Sequence, residues 1–185
     1  SRSIQLIIDQ SFNDFEIIIS DDSTNEDVFE FYNLLKDNRI SYFKHRSITT
    51  ATENWNFVLK KAKGRYKMLL HHDDYFRNNL ILEKIYNDFL KNGEMMVYFL
   101  NFINEDKFKK FYYNKFSMKQ IFKHPDNLLY VNYFSTPSCL VLHQKVDLLY
   151  NEELKWLVDV DLYSRLFKKY RKIKLISNFS NSELL

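Results

Sequence analysis

At 185 residues, the chain is long enough for one domain with a sizeable hydrophobic core, and we expect a single domain over residues 1–185. Hydrophobic residues make up 45% of the chain and aromatic residues 17%, with only 2 Gly and 2 Pro, which excludes a disordered or low-complexity protein. A formal net charge of +3 gives no reason to expect a nucleic-acid partner, and a single cysteine excludes an internal disulfide.

The first half of the chain alternates between helical and strand-like patterns. Apolar residues spaced by three or four predict helices at 4–12, 25–36 and 50–63, with Gly64 as the C-cap of the third. Runs rich in β-branched and other apolar residues predict strands at 15–20, 39–44 and 67–70. The third strand is expected to deliver the carboxylates that follow it to a binding crevice.

The second half continues this alternation after a helix predicted at 79–91. Strands are predicted at 95–102, 137–143 and 173–177, and a helix at 157–170, whereas residues 104–132 show no clean period and fit an insertion or a flap. Because parallel neighbours need a helical crossover, the pattern predicts an α/β sheet that is at least partly parallel.

Two of the predicted strands end in an Asp-Asp pair, Asp21-Asp22 and Asp73-Asp74. Carboxylates crowded at one sheet edge repel one another unless a cation neutralises them, and hard divalent cations prefer oxygen ligands. The pairs therefore favour a Mg²⁺ or Mn²⁺ site that also holds phosphate oxygens. The alternative is that each pair caps the following turn or helix through bonds to backbone N–H groups.

Other polar residues near these pairs are open to two interpretations. On an alternating strand only one of His71 and His72 faces the crevice, and packing is the simpler role for each. Asp161 lies four residues before Arg165, the spacing of a helix ion pair. Asp159 stands at the start of the same helix, where it could cap the helix or project into a crevice.

Four sequence blocks occur in an order and spacing that resembles the family 2 glycosyltransferases of the GT-A fold. They are FNDFEIIISDDST, NFVLKKAKGRYKMLLHHDDYF, TPSCLVLHQKV and WLVDVDLYSRL, and the similarity covers most of residues 3–170. The resemblance implies a mixed, mostly parallel sheet flanked by helices. It also implies transfer of a sugar from a nucleoside diphosphate sugar, expected to be UDP-linked, to an acceptor hydroxyl with inversion, in surface-glycan assembly.

The resemblance also implies roles for individual residues. Asp22, with Asp21 beside it, would contact the nucleotide base, and Asn56 occupies a position of the nucleotide pocket. The remaining assignments are Asp73 for ribose and metal, Asp74 as the main ligand of Mg²⁺ or Mn²⁺, and Asp159 as the catalytic base.

The expected partners are a nucleotide-sugar donor and a glycan or lipid-linked acceptor. No apolar run approaches the roughly 20 residues that span a bilayer, so we expect a cytoplasmic protein. If the basic and aromatic stretch 107–123 docks on anionic lipid, the protein would lie at the inner face of the membrane. The family's first strand has no counterpart before residues 1–3. The alternative function is therefore a non-catalytic, N-terminally truncated remnant that serves as a binding or structural module.

Overall fold

The computed structural model describes residues 2–45, 50–76, 78–102, 115–132, 134 and 136–179. The helices of these residues are α1 (Arg2–Ile8), α2 (Asp27–Leu34), α3 (Ala51–Lys61), α4 (Ile81–Asn92), α5 (Lys115–Lys123) and α6 (Val158–Lys169). The strands are β1 (Ile17–Asp21), β2 (Ile40–Lys44), β3 (Tyr66–Met68), β4 (Val97–Phe102), β5 (Leu140–His143) and β6 (Ile173–Phe179). The predicted order of helices and strands is confirmed across these residues.

The described strands form two groups. β1 pairs in parallel with β2, and a four-stranded sheet has the order β3-β5-β4-β6. Within that sheet β4 and β6 are parallel, whereas β5 is antiparallel to both β3 and β4. The predicted α/β class with a mixed sheet flanked by helices is confirmed. Its antiparallel part is larger than a simple alternation of strands and helices indicates, because the central strand β5 runs antiparallel to both of its neighbours.

The four-stranded sheet lies between two hydrophobic clusters. Phe99 of β4 packs in one cluster with the buried face of α6, and its neighbour Tyr98 packs in the other with Ile81 and Ile85 of α4. Successive side chains of a strand point to opposite faces, which places α6 and α4 on opposite sides of the sheet. A third cluster covers β1 and β2 with residues from α1 and α2.

The strand that precedes Asp73 is shorter than predicted. β3 ends at Met68, and the chain then enters a turn in which the backbone N–H of Asp74 donates to the carbonyl of His71 at 3.1 Å. The predicted cap of α3 is also wrong. Ala62 caps that helix, and Gly64 instead donates its N–H to Glu16 Oε1 at 3.0 Å.

The irregular stretch 104–132 is partly ordered by packing. Residues 103–114 lie outside the described part of the chain, so the prediction for them stays a prediction. Further along, α5 is followed by the 3₁₀ helix Pro125–Leu129, and Ile121 and Leu128 enter the main cluster. Within the described ranges, no helix combines the length and the apolar character needed to cross a bilayer.

Candidate functional site

The turn after β3 brings together three groups that can bind a metal ion. One ligand atom from each of His71, Asp73 and Asp74 lies within 4.8 Å of the others. Asp73 is exposed, whereas His71 and Asp74 are half-buried, so the cluster opens to solvent on one side. The structure thus gathers the predicted metal ligands and adds a histidine to them.

Ser138 holds this turn from the 3₁₀ helix Pro137–Cys139, directly before β5. Its hydroxyl donates to Asp74 Oδ2 at 2.5 Å and accepts the backbone N–H of His71 at 3.0 Å. The hydroxyl of Thr136 lies 3.5 Å from the same carboxylate oxygen. Both residues belong to the sequence block TPSCLVLHQKV, to which sequence reasoning assigned no role in the site. The available signal was the Thr-Pro-Ser run at the start of a predicted strand.

His71 is held as a neutral ring. It stacks on Trp55 of α3 with ring centroids 4.8 Å apart, and its Nε2 is buried without a hydrogen-bond partner among the described residues. Burial lowers the pKa of His71 below its usual 6.5, although the charges of Asp74 and Asp73 oppose this shift. A neutral imidazole has a nitrogen lone pair to offer a cation.

Asp159 faces the same region from the first turn of α6. Its Oδ2 accepts a hydrogen bond from Asn132 Nδ2 at 3.1 Å, and its charge raises the pKa of His71 against the larger effect of burial. Leu157, two residues earlier, has a left-handed backbone with φ of 55°. Such a conformation is costly for a residue with a Cβ and is often found at functional sites.

Asp161 has a different partner, as its spacing predicts. Its carboxylate pairs with Arg165 at 2.6 Å, one turn along α6, and the same guanidinium donates to the carbonyl of Leu149. The predicted ion pair is confirmed, and of the two carboxylates it is Asp159 whose charge acts on the pKa of His71.

Asp21 forms hydrogen bonds within the β1–β2 pair. It is 4% exposed and accepts hydrogen bonds from the Tyr42 hydroxyl at 2.6 Å, the Lys44 ammonium at 3.1 Å and Ser23. Burial alone would raise the pKa of Asp21, but these donors outweigh burial and lower it to about 2. Asp22, by contrast, is exposed. Of the pair, Asp22 is therefore the residue with a side chain available to a ligand.

Asp21→Asn is expected to lower the free energy of unfolding by about 2 kcal/mol at neutral pH, since each unit of pKa shift corresponds to about 1.4 kcal/mol. A depressed carboxyl pKa stabilises the fold above the unfolded value, so the difference should shrink as the pH falls from about 4 to about 2. Urea denaturation of the wild-type and Asp21→Asn proteins at several pH values measures this difference in the free energy of unfolding. Asp22→Asn, the exposed neighbour, should change stability by less than about 0.5 kcal/mol. Equal effects of the two substitutions on stability would contradict the structural role of Asp21.

Asn56 is buried beneath the surface rather than open to a ligand. It is 2% exposed, its Nδ2 donates to the carbonyl of Tyr150 and to Glu152, each at 2.8 Å, and its Oδ1 accepts the N–H of Tyr150 at 2.9 Å. All these bonds tie α3 to the loop before α6. This placement favours a positioning role over direct contact with a nucleotide.

The donor set suits a divalent cation. Two carboxylates and a neutral imidazole match the ligand types of Mn²⁺, and the carboxylates alone match Mg²⁺. The buried Nε2 of His71 has no partner within the structure, which a metal ion would supply. Asp74 directs Oδ2 to Ser138, which leaves its Oδ1 for such an ion.

Ser138→Ala is expected to weaken Mn²⁺ binding by about 10- to 100-fold, the usual cost of losing a group that orients a metal ligand. Isothermal titration calorimetry with MnCl₂ measures this affinity. Ser164→Ala is the matched control, because Ser164 is also buried but bonds to Asp126 at 2.9 Å instead. An unchanged affinity in a folded Ser138→Ala protein would show that the hydroxyl does not orient the ligand.

Comparison with known proteins gives consistent results. The family model for Glycosyl transferase family 2 matches residues 1–148. A glucosyltransferase of Escherichia coli, WfaP, is 32% identical over 106 residues, which cover 57% of this chain and 41% of that protein. An uncharacterized glycosyltransferase of Rickettsia bellii is 34% identical over 84 residues, covering 44% of this chain and 12% of the relative. The chain thus spans less than half the length of these relatives.

Solved structures share the fold. S. aureus TarS 1–349 in complex with UDP-GlcNAc superimposes with a TM-score of 0.74 at 15% sequence identity, covering 99% of this chain and 53% of TarS 1–349. The UDP complex of the same protein gives a TM-score of 0.75. At this identity the likeness concerns the fold alone, and it confirms the predicted GT-A class.

Proposed function

Since the chain belongs to Glycosyl transferase family 2, we propose that it transfers a sugar from a nucleoside diphosphate sugar to an acceptor hydroxyl, with inversion at the anomeric carbon. The observation that carries this proposal is the cluster of His71, Asp73 and Asp74 with the charge of Asp159 directed to the same region. The proposed catalytic domain comprises residues 1–185.

The proposal divides the donor site among a few side chains. Asp74, Asp73 and His71 would hold Mn²⁺ or Mg²⁺, and Asp73 would also contact the ribose. Asp22 contacts the nucleotide base from the end of β1, while Asp21 supports it from inside the network with Tyr42 and Lys44. Asn56 acts indirectly by fixing the loop that leads to α6.

Asp159 is the proposed general base. As the acceptor oxygen forms its bond to the anomeric carbon, Asp159 takes the hydroxyl proton, and the bond from that carbon to the diphosphate oxygen breaks on the opposite face. The nucleoside diphosphate leaves with the electron pair of this bond. A bound divalent cation supplies Lewis acidity to the departing diphosphate. Asn132, which donates to Asp159 Oδ2, orients the carboxylate for this role.

The similar proteins support a proposal for the donor and acceptor classes. WfaP is described as transferring glucose from UDP-Glc to GlcNAc-diphosphoundecaprenol, and TarS binds UDP-GlcNAc. We therefore propose a UDP-linked donor and a glycan or lipid-linked acceptor in surface-glycan assembly, with the reaction taking place on the cytoplasmic side of a membrane. Both relatives are much longer than this chain, so these assignments concern the domain that the chain represents.

Calorimetry with UDP tests the proposed function. UDP is expected to bind in the presence of Mn²⁺ and to lose most of its affinity when a chelator removes Mn²⁺, because the cation that Asp74 and Asp73 would hold would neutralise the charge of the diphosphate. Absence of binding at about millimolar UDP would favour the alternative, a non-catalytic module of the same fold. An affinity for UDP that is the same with and without Mn²⁺ would contradict the metal assignment but would still indicate a nucleotide site.

A further inference from the structure

An exposed apolar surface borders Asp159. One half lies at the end of the 3₁₀ helix Pro125–Leu129 and in the residues directly after it, and the other half lies in the loop before α6. We call its five side chains the apolar rim: Leu129, Tyr130, Val131, Trp156 and Leu157. Tyr130 is 87% exposed and Trp156 is 80% exposed. Clusters of large exposed apolar side chains on a protein surface mark sites of interaction.

A side-chain bond connects the two halves of the apolar rim. Asn132, directly after Val131, donates to Asp159 Oδ2 at 3.1 Å, and Asp159 follows Leu157 by two residues. The 3₁₀ helix that carries one half also packs on α6, where Ser164 donates to Asp126 at 2.9 Å. The rim therefore has a defined position relative to the proposed base.

Positive charge flanks the apolar rim. Lys119 and Lys123 of α5 precede its first half, Lys155 precedes its second, and all three are exposed. Four acids lie nearby. Asp126 is paired with Lys168 at 2.5 Å, and Asp159 and the exposed Glu152 accept hydrogen bonds from Asn132 and Asn56, while Glu153 is exposed. Lysine beside tryptophan and leucine is the combination that peripheral proteins present to anionic lipid headgroups.

We propose that the apolar rim docks on an anionic bilayer surface, with Trp156 and Tyr130 at the level of the headgroups. Both side chains have an apolar ring with a polar tip, which suits the membrane–water interface. Three of the five rim residues are aliphatic, which favours a bilayer over a soluble sugar, because aliphatic side chains have neither a flat ring nor a hydrogen-bonding group. Docking would bring the site of Asp159 to the membrane surface, a consequence that rests on the proposed function.

Vesicle sedimentation tests this docking surface. The full chain is expected to bind vesicles of phosphatidylcholine and phosphatidylglycerol, and Trp156→Ala and Tyr130→Ala should each weaken binding by about tenfold, the effect of removing one partly buried aromatic side chain. Leu34→Ala is the matched control, because Leu34 is 79% exposed on α2, outside the rim. Vesicle binding should also shift the fluorescence of the exposed Trp156 to shorter wavelength.

Two outcomes would overturn the proposal. One is no binding to these vesicles, or binding that Trp156→Ala and Tyr130→Ala leave unchanged. The other is concentration-dependent self-association that Trp156→Ala abolishes, which would make the apolar rim an interface between copies of this chain. UDP titration of the same proteins keeps the two proposals apart, since vesicle binding without UDP binding would contradict only the proposed function.

Discussion

Asp159→Asn is expected to reduce sugar transfer by about 10²- to 10⁴-fold, the contribution of a positioned general base. The amide keeps the shape of the carboxylate and can still accept the hydrogen bond from Asn132, but it cannot take a proton from the acceptor. The affinity for UDP should stay nearly unchanged, because Asp159 is proposed to act on the acceptor side. Steady-state transfer with UDP-glucose or UDP-GlcNAc, paired with UDP calorimetry, measures both quantities.

Asp161→Asn is the matched control for this experiment. It makes the same chemical change two residues away on α6 and removes an ion pair with Arg165 rather than a group near His71. Helix ion pairs of this spacing typically contribute only about 0.3 to 0.5 kcal/mol, so transfer should persist. Full transfer activity in Asp159→Asn would disprove the base assignment, and equal losses in both variants would indicate disturbance of α6 instead.

Asp74→Asn is expected to lower the affinity for Mn²⁺ by more than about 100-fold, since loss of a direct ligand should exceed the cost of losing an orienting group. The substitution removes the negative charge while the side-chain oxygen can still accept from Ser138, so the turn should keep its shape. The affinity for UDP in the presence of Mn²⁺ should fall together with the affinity for Mn²⁺. Calorimetry with MnCl₂ alone, then with UDP, separates the two effects.

Glu153→Gln provides the control for charge. It removes one negative charge from an exposed residue of the loop before α6 that is not a member of the ligand cluster. If Mn²⁺ affinity depends on the ligand cluster, only Asp74→Asn should reduce it. Retention of wild-type affinity in Asp74→Asn would mean that the cluster of His71, Asp73 and Asp74 does not form the metal site.

Local sequence patterns predicted the presence of helices and strands better than the residues at which they end. The helical stripe that predicted α6 needs only residues three and four apart, and the same spacing correctly paired Asp161 with Arg165. The end of β3 was missed because the turn at His71 depends on Ser138, 67 residues further along the chain. The cap of α3 was missed because Glu16, 48 residues earlier, binds the N–H of Gly64.

The amino-acid sequence by itself determined the α/β class, the family and the set of carboxylates at the ends of elements, because periodicity and motif order are properties of neighbouring residues. Only the tertiary structure decided how each polar group is used. It directed Asp21 and Asn56 to internal hydrogen bonds and placed His71 between Trp55 and the carboxylates. Contacts between distant segments settle burial and hydrogen bonding, and these determine which side chains remain for a ligand.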